Sequence, residues 1–192
     1  MTRRLSTPVL AAFLFACISA HAQLSTWKID PKHTQIDFQI RRVPVSNVRG
    51  SFSRITGVIN WNEKDPSKSS VQVTIPTSSI STANEPRDTN LRSSEFFDVE
   101  KYPTMTFKST AVAGTPGNLQ IVGDLTLAGI TKSVTLTVDG PTPPAKNMGA
   151  NLVIGFAATG LIKRSEFNFA PKFPSLILGD EIKFTIDLEA DQ

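Results

Sequence analysis

The chain is short of the side chains that carry covalent chemistry. One cysteine, one tyrosine and two histidines occur in 192 residues. Both Cys17 and His21 fall in a start of recognisable design: Arg3 and Arg4, an apolar run from Pro8 to Ile18, then the small residues of "SAHAQ". That order predicts a Sec signal peptide over residues 1–22, cleaved between Ala22 and Gln23. "LFAC" also loosely matches a lipoprotein site in which Cys17 would become the lipidated first residue, but Phe15 fits that pattern poorly and "AHAQ" follows it. Cleavage after Ala22 leaves no thiol, which excludes disulfides and a cysteine nucleophile.

Charge of one sign is also missing. Loss of Arg3 and Arg4 leaves 18 basic against 17 acidic side chains, a net charge of +1, and no block of like charge remains to suggest nucleic acid or an anionic membrane. No later segment has the roughly 20 uninterrupted apolar residues of a spanning helix. A soluble mature domain over residues 23–192, periplasmic or secreted, is expected.

The one histidine left, His33, lies between Asp30 and Asp37 in "DPKHTQID". A Ser-His-Asp unit can be drawn there, but no G-x-S-x-G elbow accompanies it, and a histidine hydrogen-bonded at a strand start is the simpler reading. Zinc, haem and iron–sulfur centres lack ligands, and neither an EF-hand loop nor a glycine-rich phosphate cradle is present. No metal or cofactor is expected.

What the sequence has in quantity is alternation. Apolar residues recur at every second position, as in Ile36, Phe38 and Ile40, with polar residues between them, the mark of half-buried strands. Eight strands are predicted at about 33–42, 48–62, 70–80, 103–113, 118–128, 132–140, 150–163 and 180–190. Turn-forming clusters such as "NEKDPS", "GTPGN" and "DGPTPPAKN" separate them, and short connections favour antiparallel neighbours. The pattern permits a sandwich or a closed barrel; closure removes exposed edges. In "NLVIGFAATGLIK" the small residues Gly155, Ala157, Ala158 and Gly160 stand where a filled core wants bulk, which favours a barrel with a cavity. Its inward candidates are Phe38, Ile40, Phe52, Ile59, Trp61, Val73, Ile75, Met105, Phe107, Leu125, Leu127, Leu136, Phe156, Ala158 and Phe184.

"RDTNLRSSEFFDVEKYP", residues 87–103, breaks the alternation. Asn84 as N-cap, Pro86 in the first turn and an Asp88–Arg92 pair predict a short helix over 85–95. Leu91 is its one apolar residue, but it runs into Phe96, Phe97, Val99 and Tyr102. The segment reads as a lid across a barrel mouth, aromatics inward.

"NEPRDTNLRSSEFFDVEKYPTMTFKS" resembles the most distinctive stretch of the YceI-like family, as do "WKIDPKHTQIDFQI", "VSNVRGSF", "VGDLTLAGITKSVTL" and "GFAATGLIKRSEFNF". The resemblance spans nearly the whole mature chain. It implies an all-β, eight-stranded antiparallel lipocalin-like barrel, and a non-enzymatic carrier of a long-chain isoprenoid, an isoprenoid quinone or a similar lipid. Arg42, Pro44 and Asn90 stand where the family often has histidine, glycine and histidine, which bears on a headgroup more than on the wall. Arg49, Arg87, Arg92 and Arg164 are candidate headgroup contacts, since guanidinium forks suit pyrophosphate or carbonyl oxygens. Surface ion pairs of Arg92 with Asp88, and of the others with Glu95, Asp98 or Glu166, are the simpler alternative. Two rival functions remain: a lipid hydrolase or isomerase using His33 or the Asp88–Arg92 pair, and a filled barrel whose surface does the work. The expected partner is a lipid, with no nucleic acid and no stable membrane insertion; a homodimer is left open.

Overall fold

A computed structural model describes residues 24–192 of the chain. The predicted signal peptide, Cys17 and the cleavage point at Ala22 and Gln23 lie outside the described residues. Period-two alternation becomes strand throughout: β1 Leu24–Ile29, β2 Gln35–Arg42, β3 Ser46–Phe52, β4 Thr56–Asn62, β5 Ser70–Pro76, β6 Thr104–Thr115, β7 Asn118–Leu127, β8 Ile130–Asp139, β9 Ala145–Lys146, β10 Leu152–Lys163 and β11 Leu178–Asp191. One α-helix is present among the described residues, α1 over Glu85–Arg92. None of these elements is a helix long and apolar enough to cross a membrane.

All pairings are antiparallel, and they close on themselves. β11 pairs with β10 along one edge, from Lys163↔Glu181 to Val153↔Asp191, and along the other with β2 and then β1. From β1 the hydrogen bonding runs through β4, β5, β6, β7 and β8 back to β10. The result is an eight-stranded barrel, because β1 with β2 and β3 with β4 each make one interrupted wall strand.

Those interruptions correct two predicted elements. The strand expected over 48–62 breaks at Ser53–Ile55, where Arg54 takes a φ of 58°, a left-handed conformation that ends pleating. The first wall strand begins at Leu24 instead of residue 33, and its break at residues 30–34 holds Asp30 and His33. Predicted strand 70–80 stops at Pro76, where a single 3-10 turn over Thr77–Ser79 leads into the lid.

The tight hairpins follow their turn residues. Pro116 and Gly117 connect β6 to β7, with Gly117 at φ 83°, and Ala128 and Gly129 connect β7 to β8, both at positive φ. The first suits proline followed by a left-handed glycine; the second is the double-positive turn that matches strand twist.

Alternation puts one apolar face of every wall strand inside. Beyond the cavity, Trp27, Ile29, Ile154 and Ala190 fill the end where β1 starts and β11 finishes, and none is more than 5% exposed. The lid segment and the long loop between β10 and β11, residues 164–177, cover the opposite end.

Candidate functional site

Inside the barrel is a cavity of about 430 Å³ walled by strands on all sides. Its lining takes in the inward faces of β2, β3, β4, β5, β6, β7, β8, β10 and β11 together with the lid. Ile36, Ile59, Trp61, Ile75, Met105 and Leu136 have little accessible surface, whereas Phe38, Val73, Leu125, Phe156, Phe184 and Leu188 keep an intermediate share though they point inward. Inward residues retain surface only where no other side chain meets them. The barrel is therefore hollow along its middle, in the size range of sites that take small apolar ligands.

Every inward residue named from periodicity lines this cavity: Phe38 and Ile40 from β2, Phe52 from β3, Ile59 and Trp61 from β4, Val73 and Ile75 from β5, Met105 and Phe107 from β6, Leu125 and Leu127 from β7, Leu136 from β8, Phe156 and Ala158 from β10, and Phe184 from β11. Leu91, Phe96 and Phe97 of the lid line it as well. Val99 packs on the core without reaching the cavity. Tyr102 lies against Gly129 at the β7–β8 turn.

The small residues of β10 do less to open the cavity than expected. Gly155 and Ala157 belong to the outward face, where the Gly155 amide donates to Thr142 Oγ1 at 2.9 Å. Ala158 and Gly160 point inward, but the Phe184 ring covers Gly160.

At the lid end the closure is aromatic. Phe96 stacks on Phe173 with centroids 5.2 Å apart, Phe97 meets Phe169 at 4.7 Å, and Phe52 meets Phe97 edge-on at 5.5 Å. Half of this plug comes from the 164–177 loop, whose Phe169 and Phe173 lie outside any alternating run. At the other end Trp61 and Phe156 form an edge-on pair at 6.3 Å.

The lid is fixed by polar contacts. Asn84 caps α1 by accepting from the Arg87 amide at 3.1 Å, as its sequence position predicts. The helix ends at Arg92, three residues early, because Ser93 turns extended. The expected Asp88–Arg92 pair does not form. Asp88 is 3% exposed and its carboxylate accepts from the Thr82 amide at 2.9 and 3.1 Å and from the Thr82 hydroxyl. Arg92 instead donates to Glu85 at 3.3 Å and to the Ile80 carbonyl at 3.1 Å. Ser51 and Ser81 exchange backbone hydrogen bonds at 2.8 and 3.0 Å, which ties the lid to β3.

Of the four arginines considered as headgroup contacts, Arg87 lines the cavity. It is held by donating to Thr82 Oγ1 at 2.6 Å and the Thr82 carbonyl at 2.9 Å. Arg49 is on the outward face of β3. Arg92 is taken up by Glu85 and Ile80. Arg164 is 4% exposed and is bound entirely by carbonyl oxygens, those of Phe169, Ala170, Phe173, Leu178 and Gly179, at 2.6 to 3.2 Å. It is the peg around which the 164–177 loop folds, and it forms no pair with Glu166. Glu95 pairs with Lys172 at 3.5 Å. Two polar residues absent from the headgroup candidates do reach the cavity at the lid end, Arg42 and Asn90.

His33 is outside the cavity, with its side chain 63% exposed. Its Nδ1 is 2.8 Å from Asp30 Oδ2 and 3.8 Å from Glu189 Oε1, and these three donor atoms lie within 4.8 Å of one another. The hydrogen bond to Asp30, then the charges of Asp30 and Glu189, raise the imidazole above its ordinary value. Asp30 is lowered, first by the Lys32 amide and then by His33. None of these three residues is among those that line the hollow, although Thr34, next to His33, is.

The geometry agrees with what comparison finds. A YceI-like domain model matches residues 27–190. Protein YceI of Salmonella newport is 36% identical over 200 residues, covering 100% of this chain and 99% of its own. The crystal structure of a Campylobacter jejuni YCEI protein superposes with a TM-score of 0.71 at 33% identity, over 79% of this chain and 89% of that one. Burkholderia cenocepacia BcnA shares the fold at a TM-score of 0.73 and 22% identity, over 84% and 98% of the two chains. A polyisoprenoid binding domain from Saccharophagus degradans shares it at 0.62 and 14%, over 88% and 99%. With the match running from Trp27 to Ala190, across every wall strand of the barrel, the chain belongs to the YceI-like family.

Proposed function

We propose that this protein is an exported, non-enzymatic carrier that holds one long apolar chain, an isoprenoid or isoprenoid quinone, inside the barrel. The observation that carries the reading is a continuous apolar hollow with its cationic residues, Arg42 and Arg87, gathered at one end. A molecule with a long hydrocarbon tail and a small polar head matches that distribution. Burial of the tail supplies affinity, and Arg42, Arg87 and Asn90 receive the head. The polyisoprenoid binding domain of Saccharophagus degradans, built on the same fold, supports the choice of tail. The absence of a nucleophile–base pair from the cavity lining supports carriage over turnover.

The test is a series of prenols of increasing length titrated into the mature chain. Each buried methylene contributes at most about 0.8 kcal/mol, so an isoprene unit adds on the order of 2–3 kcal/mol before ordering costs, until the hollow is full. Affinity that climbs and then levels off is expected. Undiminished binding with no dependence on tail length would sink the carrier mechanism, and failure to bind any member would return the barrel to a structural role.

A further inference from the structure

We infer that the lid end of the barrel is a docking face for an anionic phospholipid bilayer, an inference that rests on the carrier reading because it gives the cargo a surface to come from. Three large apolar side chains are exposed at that end: Val45 at 80%, Leu176 at 72% and Ile177 at 50%. They come from two loops, the β2–β3 turn and the β10–β11 connection, which are tied together by the Val43 amide donating to the Ile177 carbonyl at 2.9 Å. Ile177 also lines the cavity, so the apolar tip is continuous with the hollow. Exposed apolar residues clustered beside a cavity mouth mark an interaction surface.

Charge chooses the partner. Arg42, at the base of the same turn, is exposed, lines the cavity, and makes no side-chain hydrogen bond or ion pair with any described residue. From Phe38 to Asn62 the sequence holds four arginines and no acid. Of the acids at the other loop, Asp180 accepts from Ser165 at 2.8 and 2.9 Å, Glu95 pairs with Lys172, and the exposed Glu166 lines an outer-wall groove together with Arg49, Lys163 and Lys183. Leu24, Met148 and Leu152 are also exposed, but they stand at the opposite end with Glu63, Asp65 and Asp139, which an anionic surface repels. Apolar side chains entering the headgroup boundary beside an unpaired guanidinium are the two components of peripheral binding to anionic lipid. No charge block in the sequence announces the patch, since it is assembled from two loops more than a hundred residues apart.

The test is flotation of the mature chain with vesicles of phosphatidylcholine alone or with 30% phosphatidylglycerol added, roughly the anionic share that gives a bacterial-like surface charge. Binding to the mixed vesicles that fades with salt is expected. V45S/L176S, which changes no cavity-lining residue, should lower that binding at least about tenfold while leaving the affinity for prenol delivered from ethanol unchanged. R42S should lower it about fivefold. Equal partitioning onto neutral and anionic vesicles, or undiminished partitioning of V45S/L176S, overturns the docking face. So does a wild-type dimer that V45S/L176S dissolves in sedimentation velocity, which would make the patch a contact between copies. Vesicle binding without prenol binding would count against the carrier reading and leave the docking face standing.

Discussion

The ring of Phe184 on β11 lies across the backbone of Gly160, its register partner on β10, so that a Cβ at residue 160 would overlap the ring. The same relationship holds between Phe38 and its partner Gly50, and diagonally between Phe107 and Gly123. A glycine in a strand leaves a gap in the wall, and a cross-strand aromatic fills it. These rings consequently lie flat against the wall, where they leave the middle of the barrel open.

Gly160→Val should therefore push the Phe184 ring into the cavity. Overpacking of this kind costs about 1–3 kcal/mol of stability, and the prenol series should level off at a shorter length than in the wild type. Denaturant melts and the titration check both. An unchanged plateau would mean that the ring swings away from the cavity instead.

Ala158→Trp tests the hollow directly. Ala158 is buried, points inward between Ile186 and Val138, and lines the cavity. An indole there occupies ligand volume, so prenol affinity should fall at least a hundredfold, about 2.7 kcal/mol, while circular dichroism keeps its all-β form. Native binding in a folded variant would place the ligand elsewhere.

How much of this was legible in the sequence depended on whether a residue's neighbours are set by period or by fold. Phe38, Val73 and Phe184 could be placed inside because a strand alternates faces whatever it pairs with. Phe169 and Phe173 could not, since they sit in a loop whose path is set by Arg164 and not by alternation. The Asp88 carboxylate misled for a related reason: helical spacing offers it Arg92, but Thr82, six residues before it, presents an amide and a hydroxyl to the same oxygens. Arg42 and Asn90 were visible as departures from the family pattern, and only the barrel's closure brings them to one mouth.

The lid anchor gives its own prediction. Asp88→Ala leaves the buried Thr82 amide and hydroxyl without their acceptor, and hydrogen bonds to charged groups are worth about 1.5–3 kcal/mol each. A loss of about 2–4 kcal/mol is expected, with faster hydrogen exchange across residues 80–92 than across β7 and β8. Uniform acceleration over the whole barrel would instead mean that the lid unfolds only with it.

The pair of His33 and Asp30 predicts a pH dependence of stability with a definite sign. The imidazole is raised above 6.5, so its contribution is complete below that value and is lost as pH rises through the raised value. Asp30 is lowered below 3.8, so its contribution is present above that value and is lost as pH falls through the lowered one. The melting-temperature gap between wild type and His33→Ala should thus be widest in mildly acidic solution and shrink into the alkaline range. A gap that stays constant across that range would show that the pair is not coupled to folding. Because neither His33 nor Asp30 lines the cavity, prenol affinity should not follow the same curve.

Arg164 separates a structural cation from a ligand-binding one. Its five acceptors are all backbone carbonyls, three in the loop it organises and two, Leu178 and Gly179, at the start of β11, and none is a carboxylate. Lysine carries the charge but has three donors without the planar fork, so Arg164→Lys abandons part of the set in a buried position. The expected loss is at least about 3 kcal/mol, together with release of Phe169 and Phe173 from the aromatic plug, read as faster exchange over residues 168–178 and faster escape of bound prenol. Arg87→Lys provides the contrast: Arg87 is partly exposed at the mouth, so its replacement should change selectivity among prenol, prenyl phosphate and quinone headgroups while moving the melting temperature little. If Arg164→Lys kept the wild-type melting temperature and altered headgroup preference, the two assignments would have to be exchanged.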